Sequence, residues 1–238
     1  MNTANIIDAQ SESFYHFIKT FVLDKESWDV LNSITKHDQV YVLSGIIRDF
    51  LTGDYEGARD FDCVLLKGGV KYKEIISFLK SSKHTLNSFG GMKICRPSEI
   101  IDVWQLKNTW GIKERKLEPN SFSLLDSVFF NFSAIVYDFN KRKFLYDQRF
   151  CQFLETKVMD IVYPDNPNIP LCIVNVLYYH KKYGYNISLR LANWIKCNYR
   201  SNQDYDSVQK HHFGQIYYSK EYIDDFMQHI INNTLCIK

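Results

Sequence analysis

The sequence of 238 residues lacks long apolar stretches, paired cysteines and a charged tail. Its longest apolar runs are about four residues, as in 40–43, whereas a helix needs roughly 20 to cross a bilayer. Asp8, Gln10 and Glu12 interrupt the N-terminal segment, where a secretory signal would need a continuous apolar stretch. We therefore expect no transmembrane helix and a cytoplasmic protein.

The six cysteines are isolated along the chain, and no C-x-x-C pair is present. This spacing argues against a disulfide framework and against a zinc knuckle. Lys and Arg number 29 against 27 Asp and Glu, so charge alone does not indicate a nucleic-acid partner. Aromatic residues are abundant instead, with 16 Tyr and 17 Phe. They fit either an aromatic-rich core or surfaces on which bases stack.

Hydrophobic periodicity changes near residue 150. Before that point, short β-rich runs alternate with helical patterns. The predicted strands are 40–43, 61–66, 92–95 and 100–106, with a hairpin of 134–137 and 143–146, and the predicted helices are 11–23, capped by Ser11, and 70–79. After it, helices are predicted at 171–183, 189–197 and 222–231. The sequence thus predicts an α/β (α+β) fold, with a mixed sheet and flanking helices in domain 1–150 and a helical module in domain 151–238.

The turn after the first predicted strand has the composition of a phosphate-binding turn. Ser44-Gly45 ends the strand and a short helix follows. Gly45 has no Cβ to block the approach of a phosphate to backbone N–H groups, and a helix start adds partial positive charge. Arg48, about one turn later, could pair with phosphate oxygens. The same residues also fit a plain strand-to-helix turn with a surface pair of Arg48 and Asp49.

Acidic residues interrupt two of the predicted strands. Asp60 and Asp62 are two positions apart, so their side chains project from one face of their strand. Neighbouring like charges are costly unless a cation bridges them, and carboxylates suit Mg²⁺ bound together with phosphates. Asp102, within 100–106, would join them if its strand lies beside Asp62. A lone strand acid also fits a purely structural role.

The chain resembles the polymerase-β-like nucleotidyltransferase superfamily in the order of four features: Ser-Gly, Arg-Asp, D-x-D and a later Asp on a strand. Within it, the chain is similar to the head domain of tRNA nucleotidyltransferases and bacterial poly(A) polymerases, over about residues 38–138 and faintly to 187. That family carries G-G-x-V-R-D and then a basic residue before D-x-D. The corresponding segments here are Ser44-Gly45-Ile46-Ile47-Arg48-Asp49 and Arg59-Asp60-Phe61-Asp62.

The resemblance implies a magnesium-dependent enzyme that uses an NTP, with a tRNA-like RNA as an acceptor. It implies three groups of site residues: Ser44 and Gly45 at the triphosphate, Arg48 and Asp49 shaping the nucleotide pocket, and Asp60 and Asp62 binding the metals. Asp102 corresponds to the third carboxylate of the broader superfamily.

The sequence also departs from the family pattern in two segments. The family's R-D-F-T-x-N-A reads 128–134 VFFNFSA here, so the Arg and Asp expected near the nucleotide are absent. The acids and arginines that open the family's next helix are replaced by Asn168, Ile169, Cys172 and Asn175. Two hypotheses follow. The first is a nucleotidyltransferase acting on an acceptor hydroxyl, which an RNA 3′ end, a protein hydroxyl or a small molecule could supply. The second is a catalytically silent nucleotide- or RNA-binding member, acting as a sensor or in a toxin–antitoxin or phage-defence pair.

Overall fold

The structure is a computed structural model, and it describes residues 2–54, 60–68, 83–86, 90–96 and 99–232. The predicted helix 70–79 and the basic residue Arg59 lie outside the described residues. The chain forms two compact units: unit 1 comprises Met1–Val128 and Phe132–Leu154, and unit 2 comprises Phe129–Asn131 and Glu155–Lys238. These units differ from the two sequential domains predicted, because residues 129–131 group with unit 2 and residues 151–154 with unit 1.

A seven-stranded mixed sheet forms the centre of unit 1. Its strands are β1 (Val40–Val42), β2 (Asp60–Leu65), β3 (Lys83–Leu86), β4 (Met92–Cys95), β5 (Ile100–Gln105), β6 (Ile135–Asp138) and β7 (Lys143–Tyr146). Their order across the sheet is β3-β4-β5-β2-β1-β6-β7. Strands β2 and β5 run parallel, and the other described pairs are antiparallel. The predicted hairpin is confirmed and extends the sheet through β6 and β7.

Seven helices of the described chain accompany the sheet: α1 (Thr3–Ala9), α2 (Ser11–Phe17), α3 (Lys25–Thr35), α4 (Ser44–Thr52), α5 (Trp110–Glu114), α6 (Ser121–Asp126) and α7 (Gln148–Thr156). A π-helical turn, Ile18–Val22, continues α2. The prediction that Ser11 caps a helix is wrong, because α1 precedes it and Gln10 occupies the cap position. Helix α3 begins where the Asp24 side chain accepts a hydrogen bond from Ser27 N at 2.8 Å.

The two faces of the sheet bury different partners. On one face, Val30 and Leu31 of α3 line a small cavity of about 30 Å³ together with Phe61 and Ile101 of the sheet. On the other face, Tyr41 and Val64 pack in a cluster with residues of the 106–125 segment and β6: Leu106, Ile112, Leu124, Leu125 and Val136. The second face is the one from which Asp60 and Asp62 also project, because side chains alternate along a strand.

Part of the high aromatic content lies in the core of unit 1. The Phe14 ring lies 4.9 Å from Tyr137 and 5.2 Å from Phe144, measured between ring centroids. Phe14 and Tyr137 are fully buried, and the Tyr137 hydroxyl donates to Ser11 O at 2.9 Å. These rings pack α2 onto β6 and β7, as an aromatic-rich core requires.

Unit 2 is mainly helical. Its helices are α8 (Ile169–Tyr183), α9 (Leu189–Asn198), α10 (Tyr205–Phe213) and α11 (Lys220–Ile231), and the short strands β8 (Val158–Met159) and β9 (Asn186–Ile187) pair in parallel. Helix α8 begins with Asn168 accepting from Leu171 N and ends at Gly184, whose φ is 68°. The mixed sheet with flanking helices and the helical C-terminal part confirm the predicted fold class. Within the described residues, no helix combines the length and apolarity needed to cross a membrane.

Candidate active site

The turn between β1 and α4 leaves open space at Gly45. Helix α4 begins directly after β1, and Leu43 N donates to Asp62 O at 2.9 Å, which ties this turn to β2. A Cβ built on Gly45 would meet no other atom within 4 Å. The packing of the described chain therefore does not require glycine here, and the open space suits the close approach of a ligand.

Arg48 and Asp49 are buried, contrary to the alternative of a surface pair. They are 6% and 3% exposed. Arg48 Nε and Nη2 donate to Asp49 Oδ1 at 2.8 and 2.5 Å, and the guanidinium carbon lies 5.5 Å from the centre of the Phe132 ring. This pair is therefore part of the interior of unit 1. Its role in shaping a nucleotide pocket stays a prediction.

Three carboxylates lie side by side on the sheet, and we call Asp60, Asp62 and Asp102 the acid row. Asp62 on β2 lies directly opposite Asp102 on β5, and Asp60 precedes Asp62 by two residues on the same face. Neighbouring strands are about 4.8 Å apart, so the side chains of Asp62 and Asp102 share one small region. The sequence-based expectation that Asp102 lies beside Asp62 is met by this register.

Lys93 is a site residue that the sequence reasoning missed. It lies on β4 opposite Asp102, and its Nζ is 3.3 Å from Asp102 Oδ2 and 3.7 Å from Asp60 Oδ2. The signal was present, because a short loop between two predicted strands, 92–95 and 100–106, predicts a hairpin. Pairing Cys95 with Ile100 in that hairpin places Lys93 opposite Asp102.

The acid row is electrostatically strained. Part of Asp62 still reaches solvent, yet burial by the surrounding protein, followed by the charges of Asp102 and Asp60, raises its pKa to about 7. Burial also raises the pKa of Asp102, against the opposing effect of Lys93. Burial lowers the pKa of Lys93, but the charges of Asp102 and Asp60 outweigh it, so the pKa is raised. Nearby positive charge is thus favoured at this place.

The carboxylates fit a divalent cation by donor type and by charge, since oxygen ligands suit Mg²⁺. Across the described residues, however, no set of three or more His, Cys, Asp or Glu side chains is arranged so that it could hold a metal ion. The cation that the structure places against Asp60 and Asp102 is the Lys93 ammonium group.

The middle of the segment 128–134, which departs from the family pattern, belongs to unit 2. Phe129 and Phe130 are buried, and the Phe129 ring lies 4.9 Å from that of Trp194. Asn131 Nδ2 donates to Val158 O at 2.9 Å, and Asn131 Oδ1 accepts from Asp160 N at the same distance. These side chains therefore serve packing and hydrogen bonding within unit 2.

Neither a protein-family model nor a curated protein matches the sequence. Solved structures do. A tRNA-processing enzyme with CTP matches at a TM-score of 0.59 and 14% identity, over 87% of this chain and 57% of that one. A tRNA nucleotidyltransferase complexed with a primer tRNA and an incoming ATP analogue matches at 0.57 and 14%, over 88% and 62%. A CCA-adding enzyme with ATP matches at 0.55 and 16%, over 74% and 43%.

The chain has the nucleotidyltransferase fold. These matches confirm the predicted resemblance at the level of the fold. The chain spans only 43% to 62% of the length of the three structures, so it corresponds to a part of each. Within unit 1, the acid row comes from strands β2 and β5, and the open turn at Gly45 lies at the start of α4.

Proposed function

We propose that this chain is a magnesium-dependent nucleotidyltransferase that moves a nucleoside monophosphate from an NTP to an acceptor hydroxyl, with the 3′ end of an RNA as the acceptor. The similar structures support the choice of substrates, because they are described with ATP, with CTP and with a primer tRNA. The choice of RNA as the acceptor rests on these similar structures alone. The fold by itself does not determine the acceptor, because one fold can serve different functions.

The observation that carries the proposal is the acid row. Three carboxylates with mutual repulsion stand on two neighbouring strands, and the pKa of Asp62 is raised to about 7 by burial and by the other two. A row of this kind destabilises the fold, and nothing in the packing of the described residues requires it. Clusters of perturbed acids are typical of catalytic sites.

Asp60, Asp62 and Asp102 would hold Mg²⁺ after their side chains turn toward it; the ion, when bound, would supply charge neutralisation for the phosphates and activation of the acceptor hydroxyl. The acceptor oxygen forms a bond to the α-phosphorus while the bond to the pyrophosphate oxygen breaks. Where Asp102 is not itself a ligand of the ion, one of its carboxylate oxygens would accept the hydroxyl proton. The open space beside Gly45 leaves backbone N–H groups at the start of α4 accessible to phosphate oxygens.

Lys93 would have to move away from Asp102 when the acids bind a metal ion. Its side chain is 40% exposed, so it has room to rotate toward solvent. There it can meet the phosphates of the nucleotide, because its ammonium group is a flexible point charge.

The test is incubation of the protein with Mg²⁺, each α-labelled NTP and a mixture of RNAs. The wild type should label RNA, and an Asp60→Ala/Asp62→Ala variant should lose at least about 100-fold of this activity, as expected for loss of the charges that stabilise the transition state. A matched control is Asp29→Ala/Asp225→Ala, which removes two exposed acids that pair with Lys25 and His229. Unchanged labelling by the acid-row variant would contradict the proposal.

The same assay distinguishes the second hypothesis, a catalytically silent nucleotide- or RNA-binding member. One observation favours it: the described residues contain no metal-holding cluster, and Lys93 contacts two of the acids. NTP binding without labelling of any acceptor would support that function and overturn the transferase.

A further inference from the structure

An apolar cavity of about 300 Å³ lies inside unit 1, and Leu43 and Trp104, which line it, are chain or strand neighbours of the acid row. This volume is at the lower end of the range for sites that hold small molecules. Its lining includes two tryptophans, several aliphatic side chains and a few neutral polar groups, among them Trp104, Trp110, Leu43, Asn108, Ser127 and Val128. The proposed transfer reaction, as derived from the acid row, makes no use of it.

The position of the cavity relative to the acids follows from the sheet. Leu43 lines it and is held against β2 by the bond from its N to Asp62 O. Trp104 follows Asp102 by two residues on β5, so its side chain projects from the same face, about 7 Å farther along the strand. The cavity therefore begins close to Asp62 and Asp102, at most two residues away along the chain or across the strand pair.

The chemistry of the lining selects a flat, uncharged ligand. Among the described residues, none that lines the cavity carries a charge, so they offer no counter-charge for a phosphate group inside it. The indole of Trp104 is held in place, since its Nε1 donates to Thr109 Oγ1 at 3.0 Å. Aromatic rings bind nucleobases by stacking, and this contact tolerates any base because every base has a π-face.

We propose that this cavity binds the base of the NTP, stacked on the tryptophans, while the phosphates lie at the acid row. The inference rests on the proposed function and adds to it the place where the base is held. The Asn108 amide supplies neutral donors and an acceptor for the edge of the base, and the Ser127 hydroxyl, which donates to Leu124 O at 2.9 Å, supplies a further acceptor. Stacking area is the main source of affinity, so a purine binds more tightly than a pyrimidine.

Two variants change the cavity in opposite ways. Trp110→Leu removes a stacking surface, and Val128→Phe fills part of the space from a half-buried loop position. Phe122→Leu is the control, because this ring is 64% exposed on α6 and does not line the cavity. The probes are adenosine, ATP with Mg²⁺, and inorganic tripolyphosphate with Mg²⁺, measured by equilibrium dialysis.

Trp110→Leu should weaken ATP and adenosine binding by about 5- to 150-fold, which corresponds to the ~1–3 kcal/mol of stacking a base on an aromatic side chain. Val128→Phe should weaken the binding of both ligands as well, because its ring occupies space that the base needs. Tripolyphosphate should bind all variants as it binds the wild type, and the control should bind all three probes normally. Equal affinity of ATP for wild type and both cavity variants would overturn the inference.

The two proposals fail in different ways. If tripolyphosphate binds and RNA is labelled but adenosine does not bind the wild type, the base site is wrong and the transferase stands. If adenosine binds the wild type and not the Val128→Phe variant, while tripolyphosphate does not bind and no acceptor is labelled, the cavity holds a base and the transferase is wrong.

Discussion

Replacing Asp62 by asparagine should stabilise the metal-free protein at alkaline pH while removing its activity. The pKa of Asp62 is raised from 3.8 to about 7. In the range between those values the folded state binds a proton that the unfolded state has released, so the free energy of unfolding falls as the pH rises. Above pH 7 the folded protein has to hold the full charge, and asparagine removes that requirement.

The size of the effect follows from the same shift. The difference between the folded and unfolded pKa of Asp62 lowers the free energy of unfolding by about 4 kcal/mol above pH 7. At pH 4.5 it lowers that free energy by about 1 kcal/mol. Because Asp62 is partly solvated, screening reduces these values. The stabilisation by Asp62→Asn should therefore be about 2 kcal/mol larger at pH 8.5 than at pH 4.5.

The assay is urea unfolding of wild type and variant at both pH values with a chelator present. Asp165→Asn, at an exposed position, is the control and should show no such pH dependence. Addition of Mg²⁺ at pH 8.5 should stabilise the wild type more than the variant. A variant that is equally stabilised at both pH values, or destabilised at pH 8.5, would refute the electrostatic reasoning about the acid row.

Three further predictions concern residues around the row. Lys93→Met removes the charge that lowers the pKa of Asp62 and Asp102. The acidic limb of the pH–rate profile should therefore move to higher pH, and an unchanged limb would exclude Lys93 from the site. Gly45→Ala should leave the free energy of unfolding unchanged or raise it by up to about 1 kcal/mol, because the added Cβ contacts no other group. The same change should weaken tripolyphosphate binding, and unchanged binding would place the phosphates elsewhere. Arg48→Met should lower the free energy of unfolding in urea by about 3–5 kcal/mol, since it leaves a buried carboxylate without this cation; a loss below about 1 kcal/mol would contradict the importance of the pair.

Much of unit 1 could be predicted from local patterns, because its strands are short apolar runs with clear ends. Helix α3 was missed although Asp24 caps it and Trp28, Leu31 and Ile34 recur at helical spacing. Ser11 misled because a serine before an apolar stripe is a common cap, and the preceding helix α1 carries no strong apolar pattern, with Ile7 as its one buried residue.

The candidate site was predictable where it depends on alternation along one strand. The common face of Asp60 and Asp62 needs only that rule. The meeting of Asp62 with Asp102 needs β5 to lie beside β2, a long-range pairing that no local signal specifies. The tryptophan cavity was beyond prediction, because it is built by short helices such as α5, with five residues, too short to show periodicity.

The most direct test of the central claim is to count pyrophosphate and labelled acceptor in the same reaction. The wild type with Mg²⁺, RNA and an α-labelled NTP should release one pyrophosphate for each nucleotide joined to the acceptor. Both products should disappear together in the Asp60→Ala/Asp62→Ala variant and with a chelator. Release of orthophosphate without labelled acceptor, or equal yields from wild type and variant, would contradict nucleotidyl transfer at the acid row.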